Sequence, residues 1–144
     1  MEGRIAGAMS PDEFDKLVQG AYGQIPIRFR KRLKNVAMLV EAEPSAAQLA
    51  EAGVGLGGTL LGLYQGRPLT QRSVFESFAM PDRITIFQGP HERLAHGDAH
   101  LKRMVEDTVW HEVAHYFGMD ERQVRAAEKR RARSGRAWPK PNAT

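Results

Sequence analysis

The apolar positions of the chain follow a helical period near the N-terminus. Ser10-Pro11-Asp12-Glu13 carries the residues of a capping box, with proline at the first helical position, so a helix is predicted to begin there. The apolar residues that follow recur at helical spacing and define one buried face: Phe14, Leu17, Val18 and Tyr22. Gly23 and Pro26 end this helix. A second short helix with a basic outer surface is predicted over Arg28–Leu33.

Short apolar runs in the middle of the chain predict strands. Val36–Val40 is entered at Asn35 and closed by Pro44, and its continuous apolar character predicts a strand covered on both faces. Ser45–Ala52 is a weak helix candidate, and Gly53–Gly58 is a glycine-rich loop. Two further strands are predicted over Leu60–Tyr64 and Ile84–Phe87. Strands followed by a helical C-terminal half indicate an α+β fold, a small mixed sheet packed on helices. We expect one domain over residues 10–128 and a flexible basic tail over 129–144.

The most informative helix is predicted from Asp98, as its N-cap, to about Phe117. One apolar row along it consists of Val105, Val109, Val113 and Phe117. A neighbouring row consists of Leu101, Met104 and Thr108, and it continues into His111 and His115. The two histidines are therefore flanked by buried surface, which suits a rigid platform for metal ligands.

The run His111-Glu112-Val113-Ala114-His115 places two imidazoles four residues apart. Four helical residues advance about 6 Å and about 40°, so both rings point to a common position where zinc can be bound. Glu112 projects about 100° away, within reach of a zinc-bound water whose proton it can accept as a general base. The alternative is two surface histidines with a glutamate between them, but that does not explain why they interrupt an apolar surface.

The third zinc ligand is expected just beyond Gly118, a residue suited to the left-handed turn that ends a helix. Because the chain has no cysteine, the ligand must be His, Asp or Glu. Asp120 and Glu121 are the two candidates. Asp120 with Gln123 resembles an N-cap pairing for a following helix, which leaves Glu121 the preferred ligand and Asp120 the alternative.

The whole string from His111 to Glu121 has the form H-E-x-x-H-x-x-G-x-x-E. It resembles the metzincin pattern with the third histidine replaced by a carboxylate, although no Met-turn is recognisable after Glu121. More closely, it is similar to the very small bacterial zincin-like metallopeptidases, or minimal zincins. The resemblance extends upstream through three segments, Asn35–Pro44, Leu60–Gly66 and Pro81–Arg93. It implies an α+β zincin fold and a zinc-dependent peptidase, hydrolysing a peptide or protein substrate, and it implies no particular substrate.

Other side chains are candidates for supporting roles. Five could donate a hydrogen bond to the oxyanion of the transition state, and the sequence does not choose between them: Tyr22, Tyr64, Tyr116, His91 and Arg93. Three histidines, His91, His96 and His100, are expected to lie on the surface rather than to form a second metal site. If the Ile84–Phe87 strand forms the sheet edge above the zinc, its backbone can pair with an extended peptide.

Charge and composition narrow the remaining alternatives. The net charge is +4, but seven of the 21 basic residues and only one of the 17 acidic ones follow Val124, leaving 14 basic and 16 acidic residues before them. The basic tail is therefore expected to be solvated, and nucleic-acid binding is the least favoured function. With no signal peptide or membrane-spanning run recognisable, a cytoplasmic location is predicted. The alternative to an active peptidase is a catalytically weak or inactive zincin scaffold serving as a metal-containing binding or regulatory module.

Overall fold

The computed structural model describes residues 9–66 and 81–118, together with residues 122, 126, 129 and 130. Within this part of the chain the helices are α1 (Pro11–Gly23), α2 (Ile27–Arg30), α3 (Ala46–Glu51), α4 (Gln88–Leu94) and α5 (Asp98–Tyr116). The strands are β1 (Val36–Glu41), β2 (Gly62–Gln65) and β3 (Asp82–Phe87). The helices and the small mixed sheet confirm the predicted α+β class.

Reciprocal capping fixes the starts of α1 and α3. The Glu13 amide donates to Ser10 Oγ over 3.1 Å, and the Ser10 amide donates to Glu13 Oε1 over 2.9 Å. Ser45 and Gln48 repeat both bonds at the start of α3. Each exchange satisfies two amides that the first turn of a helix leaves without backbone partners. Both helices, including the one predicted only weakly, are therefore confirmed.

The strand order is β1-β3-β2, with β1 parallel and β2 antiparallel to the central β3. The prediction that Val36–Val40 is covered on both faces was wrong, because Leu39 is 37% exposed and no residue of β1 is fully buried. Within the described part of the chain, β1 lies at one edge of the sheet. The suggestion that Ile84–Phe87 offers a free edge was also wrong, because β3 is paired on both sides. Among the described strands, β2 forms the second edge.

Helix α5 packs against α1, β2 and β3 and supplies much of the core. Val105, Val109 and Val113 are fully buried, which confirms the first apolar row as far as the end of the helix. Asp98 is not the N-cap as predicted: Gly97 holds that position with φ 109°, and no side chain caps the helix. Asp98 instead lies in the first turn, where its negative charge interacts favourably with the positive end of the helix dipole.

The remaining segments complete the outline. The regular helix α2 ends at Arg30, before the end of the helix predicted over Arg28–Leu33. Hydrogen bonds between backbone groups continue the helical path as far as Leu33. The tail predicted over 129–144 lies almost entirely outside the described residues; Lys129 and Arg130 have helical backbone and are exposed. None of the helices described is both long and apolar enough to cross a membrane.

Candidate metal centre and substrate cleft

His111 and His115 lie on one face of α5, one helical turn apart. Their ring centroids are 4.9 Å apart, and the ring planes are inclined at 61°. Both side chains are half-buried and line the same hollow between α5 and β2. The structure therefore brings together the two imidazoles that the motif spacing predicts to share a metal ion.

Glu112 is buried between α5 and β2, with 7% of its surface exposed. The closest approach of the two elements is at Gly62, whose missing Cβ would lie 3.2 Å from Glu112 Cγ and 2.7 Å from Thr108 Cγ2. Only a residue without a side chain leaves the strand this close to the helix. Gly62 therefore sets the distance between the Glu112 carboxylate and the sheet. Glycine inside the predicted Leu60–Tyr64 strand was the sequence signal for this contact.

A cleft of about 410 Å³ runs along the N-terminal side of this contact. Residues 59–62 form one wall, and Met104, Asp107 and Thr108 of α5 form the other, with His111 and Glu112 at its end. A second hollow of about 360 Å³ continues past His111 to His115 and Tyr64. Glu112 and His111 line both hollows, so they lie in the middle of an elongated groove.

The backbone of β2 borders this groove. The Phe87 amide donates to the Leu61 carbonyl over 2.9 Å, and the antiparallel register pairs Gly62 with Ile86. Hydrogen-bonded and non-hydrogen-bonded pairs alternate along such a ladder. Gly62 and Tyr64 therefore direct their amides and carbonyls away from β3, on the side where β2 is the last of the described strands. An extended peptide can add to a sheet at such an edge.

Comparisons with known proteins agree with this arrangement. The family model of the zincin-like metallopeptidases matches residues 33–131, more than half of the chain. The chain belongs to the zincin-like metallopeptidase family. A solved structure, a conserved hypothetical protein from Thermus thermophilus, is 26% identical with a TM-score of 0.51, covering 76% of this chain and 94% of that one. No curated protein matches the chain.

The zincin-like family implies the use of zinc, and the described residues include two of the three predicted ligands, His111 and His115. No group of three or more His, Asp or Glu side chains able to hold a metal occurs within the described residues. Gly118 has φ 83°, and its amide bonds to the His115 carbonyl over 2.9 Å, which confirms the predicted left-handed end of α5. Asp120 and Glu121 both lie outside the described residues, so the choice of third ligand stays a prediction.

The histidines proposed as a possible second cluster are not brought together. His91, expected on the surface, is fully buried in the core. His96 and His100 stack on each other with centroids 5.1 Å apart, and the His96 amide bonds to His100 Nδ1 over 2.9 Å. Two stacked rings present their in-plane nitrogens side by side rather than toward one point. This pair therefore has the geometry of a local structural contact.

A side-chain hydrogen bond between His91 and Thr108 connects α4 to α5. His91 Nδ1 lies 2.8 Å from the Phe87 carbonyl, which only accepts, so Nδ1 carries a proton. Its Nε2 lies 2.9 Å from Thr108 Oγ1, four residues before Glu112. Burial lowers the pKa of His91 below its ordinary value, against the opposing effect of the Phe87 and Met104 carbonyls. In the neutral ring Nε2 accepts, so the Thr108 hydroxyl donates to it and has the Met104 carbonyl as an alternative acceptor.

Among the five candidate oxyanion donors, Tyr64 is the one that lines the groove beside both motif histidines. Its hydroxyl donates to Asp82 Oδ2 over 2.6 Å, and Asp82 is itself buried. The others have structural environments elsewhere. The Tyr116 hydroxyl donates to the Arg32 carbonyl. The Tyr22 ring is partly buried against the core, and His91 is buried within it. Arg93 is exposed and paired with Glu43.

Proposed function

We propose that this zincin-like protein is a zinc-dependent peptidase in which His111, His115 and Glu121 hold the metal and Glu112 is the general base. The observation that carries the proposal is the pairing of the two half-buried imidazoles with the buried Glu112 carboxylate in one groove. Two histidines on a helix with a carboxylate between them form the donor set and base that zinc peptidases need.

The residues present fit a zinc ion. Both imidazoles converge from one helical face, and Glu121 follows Gly118 closely enough in sequence to supply the remaining ligand, with Asp120 as the alternative. When bound, zinc acidifies a water molecule and polarises a carbonyl group. Glu112 accepts a proton from the attacking water and delivers it to the leaving amine nitrogen. Its burial in the groove keeps the carboxylate close to that path and away from bulk solvent.

The substrate is proposed to bind as an extended chain along β2. Gly62 directs its backbone amide and carbonyl away from β3, directly beside Glu112. A peptide that pairs antiparallel to β2 runs with its C-terminal part toward residues 59–62. Its side chains on that side then enter the 410 Å³ cleft, whose wall includes Leu60, Leu61 and Met104.

The test combines metal analysis with a peptide-library cleavage assay on four proteins. Parent protein is expected to bind about one zinc per chain and to cleave peptides. Glu112→Gln is expected to keep the metal and lose turnover by at least about a hundredfold, within the range typical of a lost general base. His115→Ala is expected to lose both. Glu106→Gln is the matched control, because Glu106 is on α5 but does not line the groove, and it should retain both.

Three outcomes separate the possibilities. A Glu112→Gln variant that cleaves at the parent rate contradicts the general-base assignment. A parent that binds no zinc, even when zinc is supplied, contradicts the metal site. Parent protein that binds zinc but cleaves nothing in the library points to the scaffold alternative, in which the same groove binds a peptide without hydrolysing it.

A further inference from the structure

A concentrated basic surface lies on α2 and the turn that follows it, away from the groove. Five of the seven residues from Arg28 to Lys34 are basic, the other two being Phe29 and Leu33. No acidic residue occurs between Asp15 and Glu41. We call residues 28–34 the basic segment. Its density of positive charge exceeds anything else in residues 9–66 and 81–118.

The backbone of the basic segment follows a helical path, which places its side chains on two opposite faces. Turn bonds continue from the Phe29 amide to the Leu33 amide. Residues three and four apart share a face on such a path, so Arg28, Lys31 and Arg32 lie side by side. The opposite face packs inward, with Phe29 2% exposed against the ring of Trp110. The cations are therefore displayed on an anchored surface.

Contacts with α5 and with the turn after α1 fix the segment further. The Tyr116 hydroxyl donates to the Arg32 carbonyl over 3.2 Å and lies 3.4 Å from the Lys34 amide, which donates to it. Arg30 Nε donates to the Ile25 carbonyl over 2.7 Å. These bonds use backbone atoms and one inward-turned arginine. They leave four exposed cations on the outer side: Arg28, Lys31, Arg32 and Lys34.

Within residues 9–66 and 81–118, no acidic side chain forms an ion pair with these four cations. Arg28 and Arg32 lie over aromatic rings of Phe29 and Phe117, at 5.1 Å and 5.6 Å from the ring centroids, and these contacts leave the charge in place. Residues 9–66 and 81–118 contain 10 basic and 12 acidic residues, and half of the basic ones are in this segment. The net charge of these residues is therefore close to zero, although the basic segment is strongly positive and the other described residues together are acidic. The expectation against nucleic-acid binding considered only the net charge.

We infer that the basic segment is a docking surface for the phosphodiester backbone of a nucleic acid. Three of its five cations are arginines, whose planar guanidinium groups match phosphate oxygens in pairs. A row of adjacent cations suits a polyanion with regularly spaced charges. An anionic membrane is the less favoured partner. Ile27, 58% exposed, is an apolar side chain beside the segment, whereas Phe29 is buried, so the surface lacks the apolar face that membrane docking needs.

The test measures fluorescence anisotropy of a labelled 20-base-pair duplex and of single-stranded DNA and RNA from 50 to 200 mM salt. The patch variant is Arg28→Gln, Lys31→Gln, Arg32→Gln and Lys34→Gln in the full chain. The matched control removes the same number of exposed cations elsewhere, by Lys16→Gln, Arg83→Gln, Lys102→Gln and Arg103→Gln. Thermal unfolding followed by circular dichroism checks that both variants fold.

Parent protein is expected to bind with an affinity that falls as salt rises. The patch variant should lose at least about tenfold in affinity at 50 mM salt, and its duplex salt slope should be smaller by about 3 to 4, since each phosphate that is no longer neutralised lowers the slope by about 0.9. The control should stay within about threefold of the parent, since it removes the same net charge from scattered positions. Glu112→Gln should bind as the parent does, which separates this inference from the proposed peptidase activity.

Several results would overturn the inference. Equal losses in patch and control variants would mean that net charge alone drives binding. Binding that survives in the patch variant but is lost on changing Arg130, Arg131, Arg133 and Arg136 to Gln would place it in the tail. Binding to phosphatidylserine vesicles without binding to any of the nucleic acids would identify a membrane surface instead. Absence of binding by the parent at 50 mM salt would remove the basis of the proposal.

Discussion

Adding one methyl group at Gly62 tests whether the contact between β2 and α5 governs the groove. In Gly62→Ala the new Cβ would lie 2.7 Å from Thr108 Cγ2, 3.2 Å from Glu112 Cγ and 3.3 Å from the Thr85 carbonyl oxygen. Carbon atoms in contact ordinarily stay about 3.5–4.0 Å apart, so strand and helix must separate locally by about 1 Å. The contacted atoms belong to two side chains and one backbone carbonyl, so no single side-chain rotation relieves all three contacts.

Two opposing effects set the expected change in the free energy of unfolding. Overpacking a well-filled site costs about 1–3 kcal/mol. Replacing glycine with alanine in a strand recovers about 0.5–1 kcal/mol of backbone entropy, and no positive φ opposes the substitution here. We therefore expect a net destabilisation of about 0–2.5 kcal/mol. The effect on turnover should be larger, about a hundredfold, because a shift of about 1 Å in a positioned catalytic group has that cost.

Guanidinium unfolding and peptide turnover are measured on the variant and on two companions. Gly20→Ala is the control, since a Cβ there meets nothing within 4 Å and lies within α1; it should raise stability by about 0.5–1 kcal/mol and leave turnover unchanged. Thr108→Ser removes the nearest methyl while keeping the hydroxyl, so Gly62→Ala combined with Thr108→Ser should recover part of the loss as a favourable coupling energy. If Gly62→Ala matches the parent in both stability and turnover, the reasoning from this contact is refuted.

Three further predictions concern groups around the groove. Burial lowers the pKa of His91, so the neutral buried ring stabilises the fold fully above the ordinary value of 6.5, and this stabilisation is lost as the pH falls below it. The free energy of unfolding should therefore decrease more between pH 7.5 and 5.5 in the parent than in His91→Gln. Equal slopes would contradict this. Tyr64→Phe removes a 2.6 Å hydrogen bond to buried Asp82 and should cost about 1–3 kcal/mol in urea unfolding, whereas no loss would show that the bond is dispensable. Arg93→Ala breaks an exposed ion pair, with side chains 63% and 53% exposed, and should change stability by less than about 1 kcal/mol and leave turnover intact; a large loss of turnover would restore Arg93 as an oxyanion donor.

The parts of the molecule that could be predicted from sequence are those determined by neighbours within four or five residues. The capping box at Ser10 and Glu13 is local, and so is the one-face alignment of His111 and His115. The left-handed residue at Gly118 follows from the same short-range geometry. In each case the interacting groups are fixed by helical spacing, so the sequence alone determines their arrangement.

The errors occurred where contacts join distant parts of the chain. A short apolar run indicates a strand but not its place in the sheet, so the sequence could not show that Ile84–Phe87 is central and that β2 borders the groove. His91 was expected on the surface because nothing near it in sequence indicates that Thr108, 17 residues later, lies within hydrogen-bonding distance. The choice between Asp120 and Glu121 depends equally on how the chain returns toward α5, and both lie outside the described residues.

These long-range contacts explain how a short chain can hold the Glu112 carboxylate in place. Thr108 is held on one side by the hydrogen bond from its hydroxyl to His91, and its methyl meets the backbone of β2 at Gly62. One helical turn later Glu112 meets the same glycine, so two successive turns of α5 are fixed against the sheet at one position. In the proposed mechanism neither the His91 ring nor Gly62 binds the metal or transfers a proton. The accuracy of the proposed site is therefore expected to depend on these two residues, and their variants should lower turnover without removing zinc.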